Sequence, residues 1–343
     1  MCVSTHFFMY LRKMLKYVIV CAKMSLIAKQ EDLVMFESFK VTFSQTLVLF
    51  TFIAIGYIFK KTGKVSKDFN KGLSNLLVYI FMPFLIFGSL AENFKPEVLA
   101  EKAVLIIVST VILCGFFIIA WIFSRVFTKS KNTRDIYLYS FTFPNSGYIG
   151  NPLVLAIFGE LMLFDFIIFC IPFMIVTYTY GVYILNPNRK LDFKNLVNPI
   201  MISVFLGMIA GALNIKLPTV VKTIIDTGAN SLAPAAMILT GIVFANNDLK
   251  KMLSNVKVYI ACAIKMVIIP FIAVFFIVAA NVPENLAVIT IIMITLPTGL
   301  NSIVLPEAYG GDSYTGAQLC FVSIFTCLIF IPLILGFYRF LCG

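Results

Sequence analysis

Histidine is nearly missing from this 343-residue sequence, and the one that occurs, His6, lies ahead of the first long apolar run. That scarcity argues against histidine-based catalysis, metal ligation and proton relays in the apolar part of the chain. An enzyme would need a nucleophile, a metal cluster or paired carboxylates at depth, and no H-E-x-x-H, G-x-S-x-G, acidic metal-binding or ATP-binding motif occurs. No enzymatic activity, metal or cofactor is therefore expected. The eight cysteines form no C-x-x-C pair, and five of them (Cys114, Cys170, Cys262, Cys320, Cys327) fall inside apolar runs, so they read as free buried thiols. Long polar linkers are lacking too, which leaves no room for a separate soluble domain.

What fills the chain is apolar: 60% of its residues, far above the share in a soluble domain, mark an all-α integral membrane protein. Apolar runs of about 20 residues between charged or Pro/Gly-rich breaks predict ten spans. Their approximate limits are 42–59, 70–91, 103–124, 136–159, 161–185, 196–214, 219–245, 256–280, 285–310 and 314–340. The net charge of +11 sits in short loops and forms no basic domain, so it reads as topology and not as a nucleic-acid partner. Fifteen lysines and arginines follow spans one, three, five and seven, against four (Lys95, Lys102, Lys216, Lys222) on the other side. The positive-inside rule then places the first set in the cytoplasm and both core termini outside, in a multi-pass protein of the cell membrane.

Residues 1–38 carry Arg12, Lys13, Lys16, Lys23 and Lys29, which that orientation would put outside. Either translation starts at Met24 or Met35, or residues 7–22 form a basic amphipathic helix on a membrane surface. Beyond them, register suggests an internal repeat. Gly56 and Gly207, and Pro83 and Pro234, are each 151 residues apart, and Pro144 and Pro297 are 153 apart. Two five-span units, 39–187 and 188–343, are expected, and an odd number of spans per unit makes them inverted in the membrane.

Two spans are interrupted at matching places, Phe143-Pro144-Asn145-Ser146-Gly147-Tyr148-Ile149-Gly150-Asn151-Pro152 and Leu296-Pro297-Thr298-Gly299-Leu300-Asn301-Ser302. An interrupted helix frees backbone groups that lipid cannot satisfy, so it persists only where they line a polar cavity. Paired breaks of this kind point to a carrier's binding site. Pro144, Gly150, Pro152, Pro297 and Gly299 are the expected helix breakers.

These residues resemble the auxin efflux carrier family, which includes plant PIN carriers and bacterial permeases associated with malate. The resemblance covers roughly residues 40–340 and rests on Gly56-Tyr57, Pro83, Pro144-Asn145-Ser146-Gly147 with Gly150 and Pro152, Pro297-Thr298-Gly299 and Tyr309-Gly310. It implies a ten-helix bundle in which spans four and nine unwind and cross, with an anionic substrate beside the crossing and Asn145 contributing to it. The second motif departs from the PIN pattern, with Ser302 where PIN carriers have their crossing proline, which favours the bacterial branch over indole-acetate as substrate.

Helix N-terminal amides facing such a crossing favour a carboxylate. Asn145, Asn151 and Asn301 are candidate amide donors, Ser146, Ser302 and Gly147 lie beside them, and freed backbone carbonyls are the competing partners of these groups. Lys265 is the one lysine or arginine well inside an apolar span, and a cation there costs at least about 2.5 kcal/mol unless paired or wetted. It reads either as a group that attracts substrate or couples an ion, or as a lysine that snorkels or pairs with Asp226. Asn75 is the repeat mate of Asp226 at the 151-residue offset, which suggests an ion or proton site in one half, with a solvated Asp226 as the alternative. Gly207 and Gly211 read as a site of close helix approach within the bundle, with dimerisation as the other reading. The sequence thus points to a secondary carrier of small organic anions, in the direction of efflux, working by alternating access among membrane lipids. Proton- or sodium-coupled uptake, a channel, a receptor and a homodimer are the readings left beside it.

Overall fold

The computed structural model describes residues 40, 43–66, 69–186, 193–246, 248–309 and 313–342; the 1–38 extension and Gly310 lie outside the described residues. Among those described no β-strand forms, and the chain is helical in long apolar pieces. We label them α1 (Phe43–Lys61), α2 (Phe69–Asn93), α3 (Pro96–Phe127), α4 (Lys131–Thr142), α5 (Ser146–Leu185), α6 (Pro199–Ala212), α7 (Thr219–Ala245), α8 (Val256–Ala279), α9 (Glu284–Thr295), α10 (Asn301–Tyr309) and α11 (Ser313–Cys342). Helices dominate because a chain in lipid must satisfy its own backbone groups.

Local chemistry sets several ends. Pro96 opens α3 where its missing N–H costs nothing, and Asn198 and Asn255 cap α6 and α8 by accepting from the amides of Met201 (3.0 Å) and Lys257 (3.1 Å). Seven stretches, in α1, α2, α3, α5, α7, α8 and α11, are long and apolar enough to cross a membrane, and α6 and α9 are shorter apolar helices. The twelve residues of α4 rise only about 18 Å, short of the roughly 30 Å hydrocarbon core, and the twelve of α9 do the same. Each of these short helices ends in a proline-marked interruption and resumes as α5 or α10. Inside α5, Gly159 adopts φ +79° and ψ −172°, a conformation that suits glycine, so the chain turns where spans four and five were expected to meet.

Two groups of helices pack together. In one, α2 lies on α6 and α7, and α1 crosses α7 so closely that a Cβ on Gly241 would stand 2.0 Å from the Ile53 carbonyl oxygen. Gly207 and Gly211 press on Phe87 and Leu90 of α2 and on Phe94 just after it, which makes this G-x-x-x-G a contact inside the bundle. In the other group α3 packs on α4 and α5, and α11 packs on α8, α9 and α10. Three basic side chains tie helix ends together: Lys257 Nζ donates to the Phe127 carbonyl (2.9 Å), Lys222 pairs with Glu92, and Lys102 pairs with Asp165 (2.9 Å). The six described cysteines are free thiols.

Candidate functional site

The two interruptions meet. Pro144 and Thr298 form an antiparallel backbone bridge, in which the Asn145 amide donates to the Pro297 carbonyl (2.8 Å) and the Gly299 amide donates to the Phe143 carbonyl (3.3 Å). Part of the backbone freed by each break is thus satisfied by the other break. This explains how extended chain persists between buried helices. Gly299 lies at the join, where a Cβ would come 3.3 Å from the Phe143 oxygen.

The first interruption is shorter than the motif suggests. Only Phe143 to Asn145 leave the helix; Gly150 and Pro152, expected as breakers, lie in the resumed α5. A widened, π-helical turn over Ser146–Gly150 joins the break to the helix, and Pro152 falls in the first turn after it, where a proline is tolerated. Gly150 serves close packing, since a Cβ there would stand 2.8 Å from Leu296 Cδ1 and 2.9 Å from the Phe166 ring.

Asn145 is the pivot. With φ −79° and ψ 61° it is the centre of an inverse γ-turn, closed by the Ser146 amide donating to the Pro144 carbonyl (2.9 Å). Its side-chain oxygen accepts from the Tyr148 amide (3.2 Å), capping the resumed helix. Because a backbone N–H demands an acceptor, this cap fixes the carboxamide flip and directs the NH₂ group away from it. That nitrogen is buried and has no partner among the described residues. Asn151, six residues on, is 1% exposed, and among the described residues neither its amide nitrogen nor its oxygen has a partner.

Both asparagines line a cavity of about 70 Å³ beside the crossing. A single water needs roughly 10–15 Å³ on this measure, so there is room for several waters or the head of a small acid. Ser146, Gly147, Gly299 and Asn301 share the wall, as do Tyr139, Tyr148, Thr177 and Tyr178, and Met82 and Ile86 of α2 close it from the other group of helices. The tyrosines escape a sequence reading because they lie in an aromatic-rich chain and only the crossing gathers them. Tyr139 meets the Asn301 side chain across the two halves of the crossing, and Tyr148 meets Ser74 of α2.

Ser302 stands outside the cavity wall: it is buried, and its hydroxyl donates to the Gly299 carbonyl (2.8 Å). Lys265 is 5% exposed and does not snorkel; its ammonium donates to the Ser140 carbonyl at the end of α4. Asp226 lies at the other end of the apolar region, exposed in a polar recess with Glu92, Lys216 and Lys222, and Asn75 is exposed on α2. The structure therefore does not bring Asp226 to Lys265. The deep acid that the sequence reading missed is Asp165, 6% exposed, whose two oxygens lie 2.9 and 3.0 Å from Lys102 Nζ. Its position five residues from Glu160, near a span boundary, gave no signal of depth.

The profile described as membrane transport protein matches residues 41–193 and again 182–335. A candidate malonate transporter of Rhizobium meliloti is 24% identical over 77% of this chain and 85% of its own length. An uncharacterized transporter of Escherichia coli K12 is 19% identical over 84% of this chain and 94% of its own. An uncharacterized transporter of Methanocaldococcus jannaschii is 30% identical over 33% of this chain, a match that spans 37% of that protein's length.

Proposed function

Because the chain belongs to the membrane transport protein family, the auxin efflux carrier family that its motifs resemble, we propose that it is a secondary carrier of small organic anions. The observation that carries this reading is the pair of buried amide nitrogens of Asn145 and Asn151, unpartnered among the described residues, on the wall of a small cavity. A buried amide left without a partner costs about 1–3 kcal/mol, so such a group is kept where a ligand or water satisfies it. Asn145 in particular turns its amide donor to the cavity while its oxygen answers the Tyr148 amide, which suits a carboxylate. The tyrosine hydroxyls nearby add donors of the same kind, and the cavity's size favours a short mono- or dicarboxylate over an indole acid. The name of the Rhizobium relative makes malonate the first acid to try.

In this reading α4 with the first part of α5, and α9 with α10, are spans four and nine of a ten-span bundle built from two inverted repeats, 39–187 and 188–343. The loops after spans one, three, five and seven are cytoplasmic in the cell membrane. The group containing α2, α6 and α7 moves against the crossing to expose the cavity to either side. Exporting one negative charge down an inside-negative potential of about 100 mV releases about 2.3 kcal/mol, enough for roughly a 40-fold gradient, so efflux needs no coupling ion.

Solid-supported-membrane electrophysiology on the purified chain in liposomes tests this. A saturating current with malonate or a related acid, lost in Asn145→Ala and indifferent to sodium and pH gradients, is the expected result. A current that rises linearly with concentration would indicate a pore instead. Silence toward every carboxylate, by current and by isotope exchange, would remove the anion assignment.

A further inference from the structure

A broken helix presents two ends, and they have opposite polarity. The start of α5 offers amides to the cavity, but the end of α4 offers carbonyls close by, since Tyr139 in its last turn is itself a cavity residue. Unanswered carbonyls at a helix C-terminus carry partial negative charge and repel an anion. One of them is freed by sequence: the Ser140 carbonyl would accept the amide four residues on, and that residue is Pro144, which has no N–H. Lys265 occupies this place. Its ammonium, on the widened turn Ile264–Ile268 within α8, donates to Ser140, while Phe143 N–H takes the neighbouring Tyr139 carbonyl at 2.8 Å.

Lys265 is also isolated from acids. The titratable groups acting on it are the thiols of Cys262 and Cys320, and none of the ion pairs formed among the described residues involves it. It is absent from the cavity wall. A buried cation with no counter-anion, set against the carbonyl end of a half-helix, has that end as its electrostatic partner. The second break is handled without charge: the Thr298 carbonyl accepts the Cys320 thiol, and the Thr298 amide donates to Ser323.

We propose that Lys265 sets the charge selectivity of the crossing: it stands in for the amide that Pro144 lacks, holds the end of α4, and cancels the negative helix end that would repel an anion. It is a positioning residue that does not touch the substrate and carries no coupling ion. The inference rests on the anion-carrier reading for its selectivity part, while the cap on α4 stands independently of it.

The test compares Lys265→Arg, Lys265→Gln and Lys265→Met in liposomes with malonate as the probe, alongside hydrogen exchange over residues 139–149 without ligand. Gln keeps a donor for Ser140 and loses the charge, so the malonate KM rises about tenfold while exchange stays near that of the wild type. Arg restores the KM. Met loses both donor and charge, so the KM rises and exchange in 139–149 speeds up. A wild-type KM in Lys265→Gln would overturn the selectivity role. So would a wild type whose transport depends on a proton or sodium gradient together with a Gln variant that has lost that dependence, whatever its KM, which would mark Lys265 as a coupling group. Unchanged exchange in Lys265→Met would overturn the cap. Should the wild type itself carry no carboxylate, the carrier reading falls on that result, and the exchange experiment still decides whether Lys265 holds α4.

Discussion

At the first break Pro144, Asn145, Ser146 and Gly147 line the cavity and at the second Gly299, Leu300 and Asn301 do, yet the polar groups of the two breaks are answered differently. Both interruptions are a proline followed by small and polar residues. The first leaves the amide nitrogens of Asn145 and Asn151 unpartnered among the described residues and places a cation on the carbonyl end behind them. The second is closed by α11, where Ser323 and Cys320 take the Thr298 amide and carbonyl, and where Gly316 has no Cβ because one would stand 2.0 Å from the Ser302 carbonyl oxygen. Similar local chemistry thus yields a wall with free amide donors in one place and a braced joint in the other. What packs behind each break makes the difference.

The largest effect that would sharpen this contrast is expected from Asn145→Asp. Aspartate keeps the cap on Tyr148 N–H but replaces the free amide with a carboxylate facing the cavity, so carboxylate transport should fall about 100-fold in proteoliposome flux, with the fold retained. At the second break Ser323→Ala leaves the buried Thr298 amide without its acceptor and should cost about 1–2 kcal/mol, read as lower thermal stability in detergent with an unchanged substrate KM. A changed KM with unchanged stability would erase the distinction between site and joint.

Asn151→Leu removes a buried amide that has no partner among the described residues, so stability should hold or rise while the KM for a carboxylate increases about tenfold, measured by the same current assay. The smallest effect belongs to Asp226→Asn, an exposed side chain far from either break, with stability within about 0.5 kcal/mol of wild type and transport unchanged. A strong transport defect there would show that the polar recess with Glu92 and Lys222 takes part in the cycle.

Much of this architecture can be read from the chain because lipid imposes simple rules. Apolar run length marks the helices, and Pro144 and Pro297 mark where two of them stop, since a residue without N–H in mid-span forces the backbone to find other partners. Asn145 was legible for the same reason, as the polar residue directly after such a proline. Gly150 and Pro152 misled because residue type alone does not separate a proline that ends a helix from one in the first turn of the next. Depth misled as well. Asp226 sits in an apolar stretch and is exposed, while Asp165 sits near a boundary and is buried against Lys102.

By itself the sequence determined that the protein lives in a membrane, that its helices are interrupted twice, and which residues stand at the interruptions, because helix length and proline chemistry are local properties. Only the tertiary structure decided that the breaks bond to each other, that three tyrosines converge on Asn145 and Asn151, and that Lys265 answers the Ser140 carbonyl 125 positions away. Those facts depend on which helices lie side by side, and no spacing along one chain encodes the partner that a freed backbone group will find across the bundle.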